Sequence, residues 1–123
     1  MPVPVSEVVR AYPEPTRAGV LALRGLIFDV AGRLGETAIY ESLKWGQPAY
    51  RAARGTTLRL GPHREAAFAL FAPCQSRVIA DHATAFPGWD RLDGNRAVLF
   101  DNLHQIEPER LSHLIGHALT YRR

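Results

Sequence analysis

Five histidines, one cysteine and one carboxylate set in an apolar stretch are the residues whose types and spacing could support chemistry in this chain. His113 and His117 stand four apart on an expected helix, close enough to share one metal ion. Glu109 extends that stripe but lies eight residues from His117, about 12 Å along a helix axis, so the three side chains cannot meet on one ion. A zincin places glutamate directly after the first histidine, and here that position is Leu114. The stripe also falls nearly opposite the helix's apolar side, so a solvated face is expected and no metal site is assigned. His82 shares the arc of Val78, Ile79 and Phe86, which suits a core histidine satisfied by a hydrogen bond. Cys74 precedes a helix start at Ser76, where backbone N–H groups favour a thiolate. No histidine stands at a diagnostic spacing from it, and small apolar filler is the ordinary fate of a lone cysteine. His63 and His104 fall in loops, and no glycine-rich phosphate loop is present. The residues thus lean away from an enzyme: no catalytic group and no cofactor are assigned. Cys74 or His82 would carry an enzymatic alternative.

The segment Glu41-Ser42-Leu43-Lys44-Trp45-Gly46-Gln47-Pro48-Ala49-Tyr50 holds the most information. Glu41 has the parity of Leu43 and Trp45, which puts a carboxylate on the apolar side of a strand. Such a group needs a cation or donors to stay charged. Arg59 and Arg96, both in expected strands, are its natural partners. Lys44, Trp45, Gln47 and Tyr50 would surround the pair with flat apolar area and hydrogen-bonding tips, a mixture suited to a small polar or anionic ligand. The expected ligand-binding set is therefore Glu41, Lys44, Trp45, Gln47, Tyr50, Arg59 and Arg96. The alternative is a purely structural ion pair with Trp45 in the core.

The elements that must position these residues follow from periodicity and punctuation. VSEVVRAY suits a short helix capped by Ser6 and stopped by Pro13-Glu14-Pro15. From Thr16 to Gly35, Val20, Leu23, Leu26, Ile27, Val30, Ala31 and Leu34 form one helical stripe. Leu21 and Phe28 form a second ridge beside Gly25 and Gly32, which predicts packing on two sides. Period-two alternation then marks a strand from Ala38 to Trp45, ended by Gly46-Gln47-Pro48, and another at Thr56–Leu60. Ala66–Phe71 is a continuous apolar run, a third strand. Ser76 opens a short helix closed by Pro87-Gly88, and Asp93-Gly94 turns into a fourth strand, Arg96–Phe100. Pro108 opens the last helix, with Leu111, Leu114, Ile115 and Ala118 inward. The order ααβββαβα predicts a single α+β domain over residues 1–123, an antiparallel sheet of four to five strands with helices packed on it.

Composition bounds the rest. Apolar residues are 46% and charged residues 22% of 123, which is globular usage rather than disorder. No apolar run approaches the ~20 residues of a membrane span and the start lacks a signal peptide's apolar core, so the cytoplasm is expected. One cysteine excludes an internal disulfide. Fifteen basic residues include one lysine, Lys44, and the net charge is +3. The first-half arginines are interleaved with carboxylates along the chain, whereas nucleic-acid binding calls for clustering on one face, so nucleic acid is not an expected partner. A small anion, a protein segment or a second copy paired along a sheet edge remains.

Taken in order, Glu41 to Tyr50, Gly55-Thr56-Thr57-Leu58-Arg59-Leu60-Gly61, Cys74, Gly94-Asn95-Arg96-Ala97-Val98-Leu99-Phe100 and Ala118-Leu119-Thr120-Tyr121 resemble the YdhG-like domain family, a family of unknown function. Tyr12-Pro13-Glu14-Pro15 also fits that family's lead-in to its long helix, and the resemblance runs from Val9 to Tyr121. It implies a small cytoplasmic α+β domain. Some relatives are described as frataxin-like iron chaperones, an activity that depends on an acidic surface. Here the first two helices hold only Glu7, Glu14 and Asp29 among Arg10, Arg17, Arg24 and Arg33, a poor set for Fe²⁺. The family supplies no catalytic residues to carry over.

Overall fold

The computed structural model describes residues 1–36 and 38–121. Prolines punctuate its helical start. Helix α1 (Val3–Ala11) begins directly after Pro2 and carries a proline in its first turn, where no intrahelical N–H is needed. Ser6 therefore lies inside the helix rather than capping it. Helix α2 (Thr16–Arg33) buries Val20, Leu23, Ile27, Val30 and Ala31 along the expected stripe. The Thr16 hydroxyl ties its start to the sheet by donating to the Ala67 carbonyl at 2.6 Å.

The second packing side expected for α2 is there only in part. Of its ridge, Phe28 packs against the core but Leu21 is exposed, and a side chain added at Gly25 or Gly32 would meet open space. The close approach is made at Gly19 instead, whose missing side chain leaves room for the buried ring of Phe68.

Six strands follow, rather than four to five: β1 (Ile39–Lys44), β2 (Gln47–Ala52), β3 (Leu58–His63), β4 (Ala66–Phe71), β5 (Arg91–Asp93) and β6 (Ala97–Phe100). Helix α3 (Val78–Ala85) separates β4 from β5, and α4 (Pro108–Leu119) closes the chain. All pairings are antiparallel, in the order β1-β2-β3-β4-β6-β5. The two additional strands carry weak signals. Pro48, which marks a strand end in sequence, sits inside β2 opposite Leu43. The β2–β3 ladder covers only Ala49 and Tyr50, so its missing N–H removes no rung. Strand β5 has three residues, too few to show a period.

The α1, α2 and α4 helices form one layer. α1 lies over β1 and β2, and α2 over β3 and β4 and against α4. Tyr50, Leu58, Leu60, Phe68, Leu70, Val98 and Phe100 alternate toward that layer and join its buried helical residues in one core. Phe68 and Phe100 stack there at 5.1 Å. The intervening strand residues point to the other face, which no helix among the described residues covers. In the middle of that face Ala69, Ala97 and Leu99 form a small buried patch with Ala66 and Phe71.

Because the Phe68 ring is fully buried and cannot swing aside, Gly19→Ala should destabilise the fold by about 2 kcal/mol through overpacking. Gly25→Ala, facing open space on the same helix, should stabilise it by up to about 1 kcal/mol. Urea unfolding of the two variants beside the parent checks both signs.

Candidate functional site

The Glu41–Tyr50 segment forms a hairpin. Lys44 and Gln47 are paired, and the two residues between them both have positive φ, 57° at Trp45 and 74° at Gly46. That geometry is the tight two-residue turn whose twist matches the strands. It takes Trp45 off the strand's parity. Its side chain is 87% exposed instead of entering the core.

Glu41 and Tyr50 are direct cross-strand partners and alternate to the helix side. Glu41 is held by a guanidinium, but by Arg24 of α2 rather than by Arg59 or Arg96. Arg24 grips it through both donors, Nε to Oε2 at 2.5 Å and Nη2 to Oε1 at 3.0 Å. The Glu41 side chain is only 8% exposed. Burial pushes its pKa up, yet Arg24 and the Tyr50 hydroxyl outweigh that and leave the carboxyl below its ordinary value. Tyr50 is fully buried, edge-on to Phe28 at 6.0 Å. Burial, followed by the neighbouring Glu41 charge, raises its phenol well above the usual range. Its Oη feels both charges but makes no hydrogen bond of normal geometry to either. Glu41 and Tyr50 thus form a structural cluster with Arg24, separated by the sheet from the rest of the expected site.

On the open face the remaining residues do assemble. Arg59 of β3 lies between two rings, 4.9 Å from the centre of Phe71 and 5.9 Å from that of Trp45. Its Nη1 donates to Gln47 Oε1, and the Gln47 side chain lies over Gly61, where no side chain obstructs it. No carboxylate pairs with Arg59 among the described residues. Burial lowers its pKa, the mark of a cation removed from water without a counter-charge. A cleft of about 820 Å³ opens beside it, bordered by Lys44, Trp45, Arg64, Cys74, Arg96 and the His63–Asp93 pair. Four cations (Lys44, Arg59, Arg64, Arg96) therefore face one carboxylate, Asp93. That carboxylate is already engaged. It accepts from His63 Nε2 at 3.0 Å and from Arg96 Nη2 at 3.4 Å. The His63 Nδ1 accepts from the Glu65 N–H at 3.0 Å, so both ring nitrogens are engaged. His63 also stacks on Phe71.

Of the other chemical candidates, Cys74 is exposed at the border of the cleft, whereas His82, His113 and His117 are engaged within the fold. The His82 ring is sealed in the core, and its Nε2 meets Asp90 at 2.8 Å. Asp90 also receives two donors from Arg110, at 2.8 and 3.0 Å. Burial opposes its charge, but His82 and Arg110 hold the carboxyl down to about 2. His82 Nδ1 has no partner, and the network locks the loop after α3 onto α4. His117 is bonded to Asp81 at 2.8 Å, while the exposed His113 packs edge-on to Phe86. No group of three or more His, Cys, Asp or Glu side chains converges as a metal site among the described residues. No helix among them is long and apolar enough to cross a membrane.

Comparison of the chain with protein-family models, with curated proteins and with solved structures gives no match in any of the three.

Two measurements test the buried charges. Arg24→Ala leaves Glu41 uncompensated and should cost about 3 kcal/mol in urea unfolding, with Glu41→Gln added on top recovering part of the loss. Asp90 titrates near 2 when folded against an ordinary 3.8. Its contribution is complete above about pH 4 and is lost as the pH falls toward 2. Asp90→Asn should therefore flatten the acid limb of the stability profile between those values.

Proposed function

We propose that the chain is a YdhG-like domain that acts as a non-enzymatic binding module for an anionic ligand. The ligand lies in the open-face cleft against Arg59, Lys44 and Trp45. The observation that carries this reading is the state of Arg59: half-buried, sandwiched by aromatics, and bonded to an amide oxygen in place of a carboxylate. A guanidinium presents five donors in a rigid fork. One is taken by Gln47, and the remainder suit a carboxylate or phosphate arriving from solvent. Gln47 fixes the plane of the fork without neutralising it. Trp45 supplies flat contact area at the rim, and Lys44 a second positive charge.

The roles within the expected set are then unequal. Lys44, Trp45, Gln47 and Arg59 make up the working surface. Arg96 stands at its border with its charge partly met by Asp93, and Glu41 and Tyr50 hold the hairpin in place from behind.

A thermal-shift screen with small anions (pyrophosphate, citrate and nucleoside monophosphates among them) should raise the parent's Tm. Arg59→Ala should abolish the shift, and Arg96→Ala should reduce it less. The binders should also quench or shift the tryptophan fluorescence, and Trp45→Asn should remove that response while Trp89 stays in place. A panel in which no anion stabilises the parent more than Arg59→Ala would sink the reading.

A further inference from the structure

We infer that the anion taken by the open face is the backbone of a single-stranded nucleic acid, with its bases resting on Tyr40 and Trp45. The inference rests on the anion reading above and names the ligand class. Along the sequence the basic residues are dispersed, but period-two alternation and strand pairing bring several of them to one surface. A second hollow of about 310 Å³ adjoins the cleft and shares Lys44 and Thr57 with it. Arg51 borders this second hollow, with Tyr40, Ser42 and Ala49. Glu41 and Tyr50 also border it, but their side chains alternate to the helix side. Lys44, Arg51, Arg59 and Arg64 thus mark one continuous trough, and none of the four has a carboxylate partner among the described residues.

The spacing of these charges argues for a chain of phosphates over a compact ligand. Arg51 lines only the smaller hollow and Arg64 and Arg96 only the larger, with Lys44 between. Four strands side by side span about 14 Å, and Tyr40 to Lys44 covers about as much along β1. One small anion cannot touch cations so distributed, whereas a polyanion laid across the strands can.

The aromatics supply the second half of the argument. Trp45 is 87% exposed and Tyr40 59%, and both stand beside the trough, where their rings are open to contact. Each has a guanidinium beside its ring, Arg59 for Trp45 and Arg51 at 5.3 Å for Tyr40. Alternating cations and exposed rings on a sheet face are the recurring means of holding unpaired bases. A duplex keeps its bases stacked on each other and has no use for such platforms, so the strand must be single.

The test measures fluorescence anisotropy of labelled oligothymidylate and oligouridylate of about twelve nucleotides, which also separates DNA from RNA. Both variants below leave the core untouched, and asparagine suits the positive φ at position 45. Arg59→Ala and Trp45→Asn should each weaken binding about tenfold, while Arg10→Ala, an equal loss of charge on α1, should leave it unchanged. The logarithm of affinity should fall with that of salt with a slope of about −2 to −3, as for three or four phosphate contacts. Three results would overturn the inference: no anisotropy change at low salt, equal weakening by Arg10→Ala, or equal competition by a duplex of the same length. If pyrophosphate still gives an Arg59-dependent thermal shift while neither oligonucleotide binds, this inference falls and the small-anion reading stands. If both fail, both fall.

Discussion

One constraint sorts most strand residues of this protein: the helices lie on a single face of the sheet. Successive side chains alternate between the faces, so outside the irregularity where β3 meets the start of β4, parity decides whether a residue is buried under α1, α2 and α4 or left on the open side. Leu58 and Leu60 go under the helices, and Arg59 between them goes out. A slip of one residue in register would exchange them, pushing a guanidinium into the core and two leucines into water. Two lost leucine burials alone cost several kcal/mol, at about 1.5–3 kcal/mol each. The chemistry of the open face is thus fixed by the core behind it, and the face can carry unpaired charge because the apolar side holds the register.

The Arg24–Glu41–Tyr50 cluster is the exception that shows how the constraint is met at the edge. β1 has a neighbour on one side only, and its exposed side offers unpaired backbone groups to any passing strand. An inward-pointing charge on an edge strand tolerates only the arrangement that satisfies it. Here the satisfying group comes from α2, so the edge hairpin is clamped to the helix layer by an ion pair as well as by packing. The Arg24 guanidinium also lies 4.8 Å over the Phe28 ring, which in turn meets Tyr50 edge-on. This one chain of contacts joins helix, edge strand and second strand. It serves position, and it lies on the helix side, across the sheet from the open-face cleft.

Much of the fold was legible in the sequence, and the failures have physical causes. The helical stripe of α2 and the alternation at Leu58–Leu60 announce themselves, because burial on one side imposes a period. Strand β2 was hidden by Pro48, whose cost vanishes where the ladder to β3 does not reach it. For the site, alternation marked Glu41 as buried and therefore paired, but could not say which cation would arrive. A strand's face tells which layer a residue meets, and the helix layer was the one to search, with Arg24 in it. Trp45 left the core because parity ends where a turn begins. The clustering of Lys44, Arg51, Arg59 and Arg64 depends on which strands become neighbours, and strand order is not written in any local pattern.

Three partly buried arginines let the chain serve as its own control. Arg24 is held through two donors by Glu41, and Arg110 through two donors by Asp90, so each charge taken out of water is neutralised where it lies. Burial opposes the charge in all three, but at Arg24 and Arg110 the carboxylate wins and the pKa rises, whereas at Arg59 nothing offsets it and the pKa falls. An arginine kept only for structure would gain from a carboxylate at position 47, directly within reach. The chain has glutamine there, which orients the fork and leaves its charge unspent. The aromatic rings at Trp45 and Phe71 lower the cost of that choice by offering their electron-rich faces, a contribution of roughly 0.5–2 kcal/mol per contact. The cation is thus held at a cost, at the edge of a cleft with three more cations and one acid that is already engaged, and that imbalance of charge is what the proposed anion reading rests on.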